Sequence, residues 1–113
     1  MKWIALVALR RWFVAQLKLR DSTVRYECVE EFPRKLKPFT LYVAGEQQHF
    51  WAAAMLCPCG CGDAIELNLL QQASPQWKIR LHPNGSVSLI PSVWRSKGCR
   101  SHFWLWNSRI EWC

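Results

Sequence analysis

Two cysteine knuckles constrain this chain more than any other feature. Cys57-Pro58-Cys59-Gly60-Cys61-Gly62 sets three thiols at alternate positions, and Cys99-Arg100-Ser101-His102 adds a thiol and an imidazole near the C-terminus. Paired knuckles of this type are zinc sites far more often than anything else. Gly60 and Gly62 allow the backbone to turn so that Cys59 and Cys61 face one ion. The spacing therefore points to Cys59, Cys61, Cys99 and His102 as a Cys3His set around zinc. Cys57 and Cys113 are further candidates, either able to replace Cys59 or His102, and a two-metal cluster would use all six. Cys28 is remote in sequence and reads as a plain buried cysteine. A labile disulfide and a catalytic thiol stay open; an iron–sulfur cluster does too, although its cysteine spacings usually differ.

The length of 113 residues suits one domain with a modest core, the size at which a metal often supplements hydrophobic burial. We expect a basic, apolar N-terminal segment over residues 1–20 and a single zinc-binding β domain over 21–113. Six cysteines could also mean a secreted disulfide framework. Against that, the apolar run at residues 3–9 is short, meets Arg10 and Arg11 at once, and lacks a small-residue cleavage site. It is also too short to span a bilayer. A cytoplasmic protein is expected, in which clustered cysteines bind metal or act in catalysis.

The formal net charge is +7, most of it from Lys2, Arg10, Arg11, Lys18 and Arg20, which no acid offsets within residues 1–20. An ordinary solvated face plus a basic N-terminus explains such an excess first, and a nucleic-acid or anionic-membrane surface is the alternative.

Residues 1–20 have no clean period and suggest at most one short helix. Residues 24–32 mix β-formers with charges, and residues 34–38 form a proline-bounded loop. Leu41-Tyr42-Val43-Ala44 reads as a short strand. Residues 49–56 form a buried strand, with a helix left open by three alanines. Ile65, Leu67 and Leu69 alternate with Glu66 and Asn68, the pattern of a half-buried strand. Residues 77–81 and 87–89 alternate around Pro83-Asn84-Gly85, a strong hairpin signal. Pro91 and Gly98 flank a turn-rich link, and residues 103–106 and 109–112 form a second hairpin around Asn107-Ser108. The fold class is mostly β, a small antiparallel domain of about five to seven strands. The eight tryptophans are expected mainly in its core.

Enzyme signatures are sparse. Neither a His-Glu-x-x-His nor a deaminase pattern occurs, nor a phosphate-binding glycine loop, nor a nucleophile elbow. His49 and His82 read as surface or satisfied polar residues. Asp63 and Glu66 read as solvent-facing groups or as partners that orient His102.

At Cys57-Pro58-Cys59-Gly60-Cys61-Gly62, Leu67-Asn68-Leu69, Pro75-Gln76-Trp77, Leu89-Ile90-Pro91-Ser92 and Cys99-Arg100-Ser101-His102-Phe103-Trp104 the chain resembles a small bacterial family of unknown function. The likeness covers roughly residues 28–113. It implies a metal-binding β protein encoded beside ubiquitin-like conjugation components: an activating enzyme, a conjugating enzyme and a metallopeptidase. Cys59-Gly60-Cys61 also resembles the first half of a SWIM zinc finger, from which Cys99-Arg100-Ser101-His102 departs by one extra residue.

The leading expectation is a zinc-binding interaction or adaptor protein accessory to a bacterial ubiquitin-like modification or defence system, with Trp94, Trp104 or Trp106 as anchors. One alternative is a nucleic-acid-binding zinc protein using Arg95, Lys97, Arg100 and Arg109. Another is a thiol enzyme that accepts a ubiquitin-like protein on Cys57 or Cys113.

Overall fold

A computed structural model describes residues 23–47 and 49–113. The basic segment 1–20 and its expected helix lie outside the described residues. Among the described residues eight strands follow one another: β1 (Arg25–Val29), β2 (Thr40–Glu46), β3 (His49–Leu56), β4 (Ala64–Asn68), β5 (Lys78–Leu81), β6 (Val87–Trp94), β7 (His102–Trp106) and β8 (Arg109–Trp112). They form two four-stranded sheets, β1-β2-β3-β4 and β5-β6-β7-β8, each in sequence order. The domain is mostly β, with no helix among the described residues.

Alternation fixes which face of each strand turns inward. Ile65 and Leu67 are buried while Glu66 is exposed, and Phe103 and Leu105 are buried while Trp104 and Trp106 are exposed. Leu41, Val43, Ala53, Met55, Ile65 and Leu67 from the first sheet join Val87, Leu89, Val93, Phe103 and Leu105 from the second in one core. The alanine run of β3 is a strand because both neighbours pair with it: Ala53 lies opposite Val43 on one side and Leu67 on the other.

Three departures from the sequence pattern have local causes. The β1–β2 pair is parallel, with Arg25 opposite Thr40 and Val29 opposite Ala44. Residues 30–39 carry the chain back to the starting end, and the Tyr42 hydroxyl accepts a bond from the Lys37 amide at 3.1 Å. Pro91 does not end β6; the strand continues to Trp94 through a register shift between Leu89 and Val93, the kind of site where a strand tolerates proline. The tryptophans among the described residues, finally, are not buried in the core. Trp51, Trp94, Trp104, Trp106 and Trp112 are exposed, and Trp77 is half-buried. Their positions alternate with the inward residues or fall at strand ends, so aliphatic side chains and Phe103 fill the interior instead.

Two links hold the sheets in register at their ends. At one end, Val24 donates to the Ser108 carbonyl at 2.8 Å and Ser108 donates to the Val87 carbonyl at 2.7 Å. At the other end, the β3–β4 loop of one sheet meets the β6–β7 loop of the other.

Candidate metal centre and serine–histidine pair

The meeting of those two loops gathers four cysteines. In the β3–β4 loop, Cys57 donates its amide to the Asp63 carbonyl at 2.8 Å, closing the knuckle, and Gly60 and Gly62 take φ values of 90° and 86°. These are left-handed angles that side chains disfavour, which is why glycine separates the thiols. In the β6–β7 loop, Arg95 donates its amide to the Ser101 carbonyl at 2.9 Å, which presents Cys99. The sulfurs of Cys57, Cys59, Cys61 and Cys99 all lie within 4.8 Å of one another. Cys57 is 3.3 Å from Cys59 and 3.5 Å from Cys99. Four sulfurs about 2.3 Å from a tetrahedral ion would stand about 3.8 Å apart. The cluster is of that size, and its donors are all soft thiols. It can hold a metal ion.

The electrostatics are those of crowded acids. Cys99 is pulled down to about 5, first by the Ser101 hydroxyl 3.0 Å away, and Cys59 is lowered by the same hydroxyl. At Cys61 the largest influence, the Asp63 backbone amide, favours the thiolate. Desolvation and the sulfurs of Cys59, Cys99 and Cys57 outweigh it and push the thiol up to about 11. One thiolate forms easily and a further one is resisted, a conflict that a divalent cation at the centre removes. Arg95 adds positive charge: its Nη1 donates to Cys99 Sγ at 3.0 Å, and its Nη2 pairs with Asp63 at 3.2 Å. Its guanidinium suffers desolvation, yet bonds to Cys57, Asp63 and Cys99 shift it upward overall.

The six candidate ligands are thus distributed as follows. Cys57, Cys59, Cys61 and Cys99 come together. Cys57 is 3% exposed and also belongs to the core. Cys113 is exposed at the end of β8, and His102 is engaged elsewhere. Cys28 is exposed on the outer strand β1 rather than buried. Asp63 pairs with Arg95 and not with His102, while Glu66 is exposed on β4.

His102 forms the second part of the site. Its Nε2 lies 2.9 Å from Ser92 Oγ, and its ring stacks on Trp94 with centroids 4.8 Å apart and planes 8° from parallel. Register explains the approach: Trp94 is directly opposite His102 in the β6–β7 ladder, and Ser92, two residues earlier, points to the same face. Both Ser92 and His102 are half-buried. The cysteine cluster is close by in the chain, because Ser101 touches Cys99 and Cys57 with its hydroxyl, at 3.0 and 3.5 Å, and precedes His102. Ser92 was not a candidate from sequence. Two signals were available: the Leu89-Ile90-Pro91-Ser92 motif of the family likeness, which gave the serine no role, and its place in a strand that pairs with the second knuckle.

The family model described as "Bacterial ubiquitination-like system serine protease (BubE)" matches residues 28–113. The chain belongs to this family. Its place in a bacterial ubiquitination-like system is thereby shown, in agreement with the likeness carried by the cysteine knuckles. Comparison with curated proteins and with solved structures gives no match. No helix among the described residues is long and apolar enough to cross a membrane.

Proposed function

We propose that this protein is a serine protease of a bacterial ubiquitination-like system, with Ser92 as nucleophile and His102 as general base. The observation that carries the reading is the 2.9 Å contact between Ser92 Oγ and His102 Nε2, within the range required for proton transfer. The family description supports it, since it names a serine protease. With the imidazole proton on Nδ1, Nε2 accepts the Ser92 proton as Oγ attacks the scissile carbonyl carbon. His102 then gives that proton to the leaving amine as the C–N bond breaks. Water, deprotonated by His102, attacks the acyl-serine ester, releases a carboxylate and restores Ser92. Trp94, stacked on the ring, holds the imidazole in orientation.

Cys57, Cys59, Cys61 and Cys99 would hold zinc on this reading. Four thiolates fill a tetrahedral ion and leave no open position, so the ion supplies structure, tying the two sheets together and fixing the loop that leads into His102. Residues 21–113 act as one domain, in a cytoplasm that keeps the thiols reduced. The test is cleavage of a ubiquitin-like protein carrying a C-terminal extension. Wild type should cut it and Ser92→Ala should not; equal cutting by both would reject Ser92.

A second reading is the adaptor. Trp94, Trp104 and Trp106 are all exposed, on alternate positions of β6 and β7, and aromatic patches of this kind favour protein partners. Nucleic-acid binding has less support, since Arg95, one of its four cations, is committed to Asp63 and Cys99, with a side chain only 16% exposed. An adaptor would retain partner binding and function in Ser92→Ala.

A further inference from the structure

The eight-residue strand β6 is only half covered on its β5 side. The pairing ends with Lys78 opposite Ile90. Before Lys78 the chain leaves for the other sheet, where Trp77 donates its amide to the Asn68 carbonyl at 2.9 Å. Only the Trp77 indole reaches back, donating to the Ser92 carbonyl at 3.3 Å. Among the described residues no strand lies beside residues 91–94 on that side.

The direction of the backbone groups there follows from the ladder. The His102 carbonyl accepts from the Cys113 amide at 3.0 Å, so it points to β8 and away from β6. Trp94 and His102 therefore face each other as a non-hydrogen-bonded pair. The N–H and C=O of Trp94 must then point outward, along the line that β5 vacates. A donor and an acceptor on an uncovered strand edge are complementary to one thing above all, an extended polypeptide backbone.

We infer that this edge receives an extended segment of the protein substrate, which adds as a strand beside Trp94 in line with β5. The inference rests on the serine-protease reading only for the identity of the occupant. An added strand lies about 4.8 Å from β6, which brings its carbonyl carbons close to the Ser92 hydroxyl. Main-chain pairing would hold the substrate extended across the serine, and the exposed Trp94 ring would select the side chain beside it.

The experiment follows amide hydrogen exchange by NMR in isotope-labelled Ser92→Ala protein, with and without a peptide from the C-terminal tail of the system's ubiquitin-like protein, spanning the cleaved bond. The Trp94 amide should exchange readily in the free protein and slow by about tenfold or more with peptide. The Val93 amide, which faces β7, should be protected in both states. A peptide that wild type cleaves, but that leaves Trp94 exchange unchanged, would overturn the inference while leaving Ser92 in its role. Absence of any peptide-dependent protection would overturn it too. Protection that rises with protein concentration alone would assign the edge to a second copy and also overturn it. If Trp94 is protected by peptide while wild type neither cleaves the peptide nor reacts with a serine-directed probe, the edge stands and the protease reading falls.

Discussion

Strand β6 carries two serine–histidine pairs four residues apart, and they are chemically unlike. Ser88 Oγ lies 3.0 Å from His82 Nε2, and Ser92 Oγ lies 2.9 Å from His102 Nε2. Distance alone does not separate them. Ser88 is 0% exposed, and its oxygen also accepts the Asn107 amide at 2.9 Å. That hydroxyl is consumed in fastening the β7–β8 turn to β6, and no substrate can reach it. Ser92 is half-buried and lies beside an edge that no other described strand covers, with its histidine stacked on a tryptophan and next in the chain to Ser101, which touches Cys99. A serine–histidine contact becomes a nucleophile only where the oxygen is free and approachable.

The contrast breaks most sharply at the serines themselves. Ser92→Ala should lower proteolysis by about a thousandfold or more, with a melting temperature close to wild type. Ser88→Ala should leave turnover within a few fold. It should instead cost about 1–3 kcal/mol in chemical denaturation, because the Asn107 amide and the His82 ring lose a buried partner. If the two variants exchange these phenotypes, the assignment is inverted.

Removing the metal should affect the two pairs unequally. A strong chelator, or Cys99→Ser, should release zinc by elemental analysis and abolish activity, because the loop leading into His102 loses its anchor. The His82–Ser88 pair, at the far end of β6, should keep its amide protection longest during this loss. Acid should act in the same direction. The Cys99 thiol stands near 5, below its ordinary value of 9.0, chiefly through the Ser101 hydroxyl. Such a lowered group stabilises the fold fully above its unfolded value and ceases to do so as pH falls through the folded one. Melting temperature should therefore fall progressively as pH drops from about 9 towards about 5. Protons should compete with the metal for the thiolates in the same direction, and Ser101→Ala should complete the fall at a higher pH. Trp94→Ala should give the smallest effect, about a three- to tenfold fall in kcat from losing one stack, partly restored in Trp94→Phe.

Much of the scaffold was legible in the chain. The Asn84-Gly85 turn joins β5 to β6, and Asn107 and Ser108, with φ of 49° and 64°, form the turn between β7 and β8. Strand β3 begins and ends where its apolar run does. The cysteine knuckles were visible as potential ligands because ligand chemistry is local and spaced by turns. The serine–histidine pair was not, since it depends on register across an irregular ladder: the shift between Leu89 and Val93 decides which residue of β6 meets His102. Exposure of the tryptophans was equally hidden. Composition states how much aromatic surface exists, and only strand pairing decides which face it occupies.

Fluorophosphonate labelling followed by peptide mass spectrometry tests the central claim most directly, because it needs no knowledge of the substrate. We predict one phosphonyl adduct on the peptide bearing Ser92, lost in Ser92→Ala, strongly reduced in His102→Ala, and none on Ser88. An unmodified Ser92 in folded, metal-loaded protein, or an adduct undiminished in His102→Ala, would contradict the account.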